Sequence, residues 1–181
     1  MKDRMLRGDS YRLDDPDLRA DLDRCAGLVA DYNDTRVSTR ELRPVILAEL
    51  LGAVGAGTVV LPPIHVNYGY QTTIGAGTFI NVGVVILDVA RVTIGDDVRI
   101  GPNVQLLTPT HPLDPAVRRA GLQAAEPIAV GDGVWLGGGV IVCPGVTIGA
   151  ESVVGAGSVV TRDIPARVLA AGNPCRVIRP L

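Results

Sequence analysis

From Val130 to Pro165 one aliphatic side chain returns every six residues. The run divides into six blocks that open on Val130, Leu136, Val142, Ile148, Val154 and Val160. Glycine holds the second position in four of the six, and Val, Ser or Ile holds the fifth in all of them. The same phase runs upstream through Ile74, Ile80 and Ile86, and through Ile94, Ile100 and Leu106, with a fainter start at Val54, Val60 and Val66. Eight residues separate Val66 from Ile74 and Ile86 from Ile94, so two-residue insertions belong at those places. A period of six matches neither the 3.6 of a helix nor the 2 of a simple strand. It suits a three-sided coil of short parallel strands, an all-β solenoid of 18 residues per turn. One aliphatic per block points inward, the small fifth residue packs beside it, and glycines ease the corners. Successive coils would stack at about 4.8 Å, the ordinary strand spacing.

The phase fails once, between Leu106 and Ile128. Residues 107–127 carry four prolines and no sixfold pattern, so they are expected to leave the coil as an extruded loop, and a loop of that length in a compact domain is usually functional. Ahead of the coil, Asp15-Pro16 offers an N-cap followed by proline at the first helical position. Leu18, Leu22, Cys25 and Val29 then recur at helical spacing, predicting an amphipathic helix to about Tyr32. A second helix should end at Gly52. Ser38-x-x-Glu41 reads as a capping box for it, but that start would put Pro44 inside the helix; a start near Pro44 is the alternative. The chain thus divides into a helical segment (1–53), a β-helix (54–165) and a C-terminal tail (166–181).

Charge sharpens the first boundary. Of the 36 formally charged side chains, 20 lie in residues 1–50, and 20 of the 22 glycines follow Leu51. A net charge of −2 shows no basic face for nucleic acid and no polybasic run for a membrane surface. No apolar run approaches the roughly 18–20 residues of a membrane helix, and the start, Met1 to Met5, lacks a signal peptide's apolar stretch. Cys25, Cys143 and Cys175 are odd in number and widely spaced. They read as reduced thiols of a cytoplasmic protein and not as a zinc site or a disulfide framework.

Several motifs occur in a fixed order: Met5-Leu6-x-Gly8-x-x-Tyr11, Tyr68-Gly69-Tyr70, Phe79-Ile80-Asn81, Leu87-Asp88-Val89, Thr110-His111-Pro112-Leu113-Asp114, Gly133-Val134-Trp135-Leu136-Gly137-Gly138, Pro144 to Gly149, and Gly172-Asn173-Pro174-Cys175-Arg176-Val177-Ile178. In this order, over nearly the whole chain, the sequence resembles the hexapeptide-repeat acyltransferases, specifically the maltose and galactoside O-acetyltransferase group. The resemblance implies a left-handed coil, a homotrimer with active sites between subunits, acetyl-CoA as donor, a sugar hydroxyl as acceptor and no metal.

Moving an acetyl group from a thioester to an alcohol needs a base for the hydroxyl proton, and imidazole suits that task. Of the two histidines, His111 lies in the extruded loop and matches the family's active-site motif, whereas His65 falls at an outward position with no motif around it. The resemblance places Asn81 in the acceptor site beside the histidine, with Phe79 and Asn67 at acceptor-side positions that vary among relatives. Asp88 is grouped with them. It and Asp114 are also candidates for orienting His111 or fixing loop geometry, and a solvated turn residue fits either equally well. Trp135, the only tryptophan, falls at the outward sixth position of its block; among relatives this residue packs on the pantetheine arm. Gly137, Gly138 and Gly139 would let that arm approach the backbone, and Ala156 would add backbone contacts. Arg162, Arg176 and Arg179 are the candidates for the nucleotide phosphates. Cys143 sits at a corner position and reads as filler, so direct transfer in a ternary complex is expected, with backbone N–H groups available to stabilise the oxyanion. Two other readings stay in view. A γ-type carbonic anhydrase would need three histidine ligands, and a non-catalytic trimeric scaffold would leave His111, Asn81 and Trp135 without a task.

Overall fold

The structure, a computed structural model, describes residues 1–12 and 14–181. From Ala53 onward the backbone climbs as a left-handed parallel β-helix with three faces. The first face stacks Ala53–Val54, Thr72–Ile74, Val92–Ile94, Ile128–Val130 and Thr147–Ile148. The second stacks Val59–Val60, Phe79–Ile80, Arg99–Ile100, Trp135–Leu136, Val153–Val154 and Val168–Ala171. The third stacks Ile64–Val66, Val84–Leu87, Gln105–Leu107, Ile141–Val142 and Val159–Val160. Register keeps like on like: Ile80 pairs with Ile100, Ile100 with Leu136, and Leu136 with Val154. All six block-opening aliphatics and all six fifth-position residues from 130 to 165 are buried, as the pattern required.

The corners explain the glycines. A Cβ on Gly75 would stand 2.5 Å from the carbonyl carbon of Gly95 in the next coil, and one on Gly149 would stand 2.3 Å from the amide nitrogen of Ala166. Real Cβ atoms do not approach backbone so closely, so these positions take no side chain. Two residues further on, the same corners need a positive φ, and there Asp97, Glu151 and Arg167 serve as well as glycine does. The close approach of one coil to the next, more than the turn conformation, is what demands glycine.

Helix α1 (Lys2–Leu6) and helix α2 (Pro16–Asn33) lead into a 3₁₀ turn (Val37–Leu42) and helix α3 (Arg43–Leu50). Asp15 caps α2 by accepting from the Asp17 N–H at 2.9 Å. The conflict over the second helix resolves by division. Ser38 and Glu41 lie in the 3₁₀ turn, Pro44 falls in the first turn of α3, and Thr39 Oγ1 accepts from the Arg36 N–H at 3.0 Å. Helix α2 closes the open edge of the first coil. The Tyr32 hydroxyl donates to the Val60 carbonyl at 2.6 Å, and Asn33 both donates to the Ile64 carbonyl and accepts from its N–H, each at 2.8 Å. An unpaired strand edge is thereby capped by side chains.

Two segments differ from the expected outline. The coil runs past 165, because Val168–Ala171 pairs in parallel with Val153–Val154 before the chain turns back antiparallel as Arg176–Pro180. The extruded loop is ordered: it holds strands Pro109–Thr110 and Leu122–Ala125 around helix α4 (Pro115–Arg119). Leu107 itself remains in the third face.

Stacking distance predicts a contrast between two glycines. Gly149→Ala should cost roughly 3 kcal/mol, the upper end of overpacking penalties. Gly157→Ala, at φ +71° with nothing within 4 Å of the new Cβ, should cost about 1 kcal/mol from backbone strain alone. Urea unfolding of the two variants checks this; equal losses would refute the stacking argument.

Candidate active site

One edge of the prism, where the third face turns into the next coil's first, carries every departure from the sixfold phase. The two insertions fall there at residues 67–71 and 88–91, and the loop leaves from the same edge one coil higher. Together they build a second, smaller core in which Met5, Tyr11, Leu18, Tyr68, Val89 and Ala125 are buried. The N-terminal strand Tyr11–Arg12 pairs antiparallel with Leu122–Ala125, which pairs with Pro109–Thr110. The loop therefore supplies the middle strand and one edge of a three-stranded sheet, whose other edge sets Tyr11 beside Gln123, 112 residues away in sequence.

His111 follows the strand Pro109–Thr110 and is exposed, lining a pocket of about 250 Å³ with Arg118, Gly121, Leu122 and Gln123. The turn beyond it is braced. Arg118 donates to the carbonyls of Pro112 and Leu113 at 2.9 and 3.2 Å. Asp114 Oδ1 accepts from the Ala116 and Val117 N–H groups at 2.7 and 3.1 Å. Asp114 thus fixes the geometry of the loop as the N-cap of α4.

Asp88 has 0% of its surface exposed. Its carboxylate accepts from the Tyr68 N–H at 2.8 Å and from the Thr72 hydroxyl at 2.9 Å. One coil up, Thr108 donates to the Leu87 carbonyl at 2.6 Å and accepts from the Ala90 N–H at 3.0 Å. Desolvation raises the Asp88 pKa to about 6, against the opposing pull of its hydrogen bonds. Of the roles open to it, fixing the corner is the one this placement supports. Asn67 lies on the same edge in the first coil, half-buried beside His65 and α2.

The remaining candidates lie elsewhere on the prism. Phe79, Arg99, Trp135 and Val153 stack outward in direct register on the second face, with Trp135 56% exposed. At the corner after them stand Asn81, Gly101, Gly137 and Gly155. The Asn81 N–H bonds to the Ile100 carbonyl at 3.0 Å, and its side-chain oxygen accepts from the Val82 N–H at 2.8 Å. Gly137 is buried, and a Cβ there would meet the Ala156 nitrogen at 2.6 Å, so coil stacking already requires it. Gly138 and Ala156 form the accessible surface of that corner. Arg176 and Arg179 extend the second face on the last strand, whereas Arg162 sits on the loop edge. All three arginines are exposed. Cys143 occupies a corner and carries a pKa raised by burial, which disfavours the thiolate an acyl carrier would need.

One chain therefore brings His111, Asn67, Asp88 and Arg162 to one edge. It brings Phe79, Asn81, Trp135, Gly138 and Ala156 to another, about one prism side away. Three residues that the structure sets beside these groups had no assignment from the sequence: Tyr11, Gln123 and Arg99. Gln123 had no motif to mark it, and Tyr11 had appeared only as part of a helical-segment motif. Arg99 was readable as an outward position between Phe79 and Trp135.

A left-handed coil with an extruded histidine loop and an outward tryptophan above a glycine corner defines a hexapeptide-repeat transferase. Two family models match, the maltose acetyltransferase hexapeptide capping motif over residues 4–55 and the bacterial transferase hexapeptide (six repeats) over 127–162. Nodulation protein L of Rhizobium meliloti (strain 1021) is 49% identical over 97% of this chain and 96% of its own. The crystal structure of a maltose O-acetyltransferase from Clostridium difficile 630 superposes with a TM-score of 0.98 at 43% identity, covering 99% of this chain and 96% of that one. A galactoside acetyltransferase in complex with coenzyme A gives 0.96 at 40% identity, covering 99% and 90%. The chain belongs to the maltose and galactoside O-acetyltransferase family of hexapeptide-repeat proteins and is an acetyltransferase. Among the described residues no helix is long and apolar enough to cross a membrane.

Burial of Asp88 predicts a pH dependence. Its folded pKa of about 6 lies above the ordinary value of 3.8, so the folded state holds the proton longer than the unfolded one. Stability from this group is present below about pH 4, falls as pH rises toward 6, and is level above that. The loss should total about 3 kcal/mol at 1.36 kcal/mol per pKa unit. The difference in urea stability between wild type and Asp88→Asn, followed from pH 4 to 7, isolates it. A difference that does not change with pH would show Asp88 to be solvated.

Proposed function

We propose that the protein transfers acetyl from acetyl-CoA to a hydroxyl of a sugar or glycoside, with His111 as general base in a ternary complex assembled between the subunits of a homotrimer. The observation that carries the reading is the separation just described. The base and the donor-side groups occupy different edges of one prism, and three prisms around a threefold axis would set the loop edge of each against the second face of the next. His111 would take the acceptor's hydroxyl proton as the oxygen attacks the thioester carbonyl; the C–O bond forms, the C–S bond breaks, and the proton passes to the departing thiolate. Trp135 would pack on the pantetheine arm across Gly138 and Ala156. Arg176 and Arg179 would reach the nucleotide phosphates from one subunit and Arg162 from its neighbour. Asn81 and Phe79 would face the acceptor. The galactoside and maltose names among the relatives support a sugar acceptor; another alcohol is the alternative. Three free cysteines suit the cytoplasm.

Two measurements test this. His111→Ala should lower kcat by on the order of 10²–10⁴, the range for a lost general base, with the acetyl-CoA KM little changed. Transfer at the wild-type rate in that variant would move the base elsewhere. The second mixes His111→Ala with Trp135→Ala protein, unfolded and refolded together, at an acetyl-CoA concentration where each alone is nearly silent. If each site takes His111 from one chain and Trp135 from the next, random cyclic trimers restore about a quarter of the sites. No recovery would place both residues of a site on one chain.

A further inference from the structure

The loop that carries His111 is exposed from residue 113 to residue 121, so the position of the ring is set at the loop's base. Register across that base is regular. Pro109 pairs with Ala125 and Thr110 with Ala124, the last paired row before His111. On its other side Gln123 pairs with Tyr11. Gln123 thus lies between Tyr11, its strand partner, and His111, which follows the last paired row, and Gln123 and His111 line the same pocket.

Side chains tie Gln123 to Tyr11. Tyr11 is 1% and Gln123 6% exposed. The Gln123 amide Nε2 donates to the Tyr11 hydroxyl, and Tyr68 shares the same small buried core. Tyr68 is in turn held through its N–H by Asp88. Burial raises the Tyr11 pKa above its ordinary value of 10.0, so the phenol stays protonated and keeps a fixed hydrogen-bonding role. A lone amide in an apolar pocket would be costly unless partnered; here the partner comes from the N-terminal strand and from no part of the loop itself. A catalytic base must be held to within about half an ångström of its working place, by neighbours that are themselves locked.

We propose that Tyr11 and Gln123 are positioning residues for His111: the N-terminal strand locks the Gln123 amide through the Tyr11 hydroxyl, and Gln123 in turn sets the catalytic ring lying across the hairpin from it. The N-terminal segment thereby acts in catalysis as well as in closing the coil. The inference rests on His111 being the base.

The test is a set of kinetic cycles on the full-length protein. Tyr11→Phe keeps the ring in its core and removes only the hydroxyl, and Gln123→Leu removes the amide. Each should lower kcat roughly 10- to 100-fold, the scale of a misplaced catalytic group, with the acetyl-CoA KM within twofold of wild type. Gln123→Glu, which can accept from the Tyr11 hydroxyl, should recover most of the loss. In the His111→Ala background, Tyr11→Phe should have no further effect, because there is no ring left to position. Thermal unfolding of each variant checks that the coil is intact. Should a variant fail to fold, Tyr11→Phe measured alone and in the His111→Ala background still decides. Wild-type kcat in Tyr11→Phe, or the same loss with and without His111, overturns the positioning role. Full activity in His111→Ala by itself removes the base assignment, and with it this inference.

Discussion

Everything in this molecule depends on how closely one coil of backbone lies on the next. At the turn from the first face to the second there is no room for a Cβ, and the glycines at 75, 95, 131 and 149 meet that demand. The same closeness lets a single aliphatic per block fill the interior, since each side chain contacts its counterparts directly above and below. A core made this way is regular and narrow. Its inward side chains fill the prism, so the chemistry is assembled on the outside.

The outside offers three flat faces and three edges, and the chain treats the edges differently. Two of them keep the sixfold count throughout. The third absorbs both insertions and the long loop, and these irregular pieces pack on one another and on the N-terminal segment to form a separate small core. Asp88 lies beneath it, buried, bonded to the backbone of one insertion and to Thr72 in the coil below. A carboxylate so placed fixes the geometry of an edge. Irregularity is thus concentrated where the histidine must be presented.

That concentration leaves the second face free to stay flat, with Phe79, Arg99 and Trp135 in one outward column. An exposed indole over a glycine corner suits an extended, narrow thiol-bearing arm, and a histidine on a braced loop suits a hydroxyl acceptor. The two belong to different sides of one prism. In the proposed threefold assembly each chain would carry half of two sites.

What the sequence determined by itself is whatever repeats or acts over a few residues. The six-residue period specified the coil, its inward residues and the point where it breaks, because each block makes the same contacts wherever it stands. Asp15-Pro16 marked the start of α2 because capping is local. Trp135 was legible as outward from its place in the block, and His111 from the loop motif. The second helix was less so, since Ser38, Glu41 and Pro44 each carry a valid local signal and only packing on the first coil divided them into a 3₁₀ turn and α3. Only the tertiary structure decided the rest. Strand Tyr11–Arg12 exists because Leu122–Ala125 lies beside it. The insertions matter because they stack on one edge, Asp88 is buried because a distant segment covers it, and Gly137 is required by Ala156 in the next coil. These are contacts between residues far apart in the chain, and no local pattern encodes which distant neighbour will arrive.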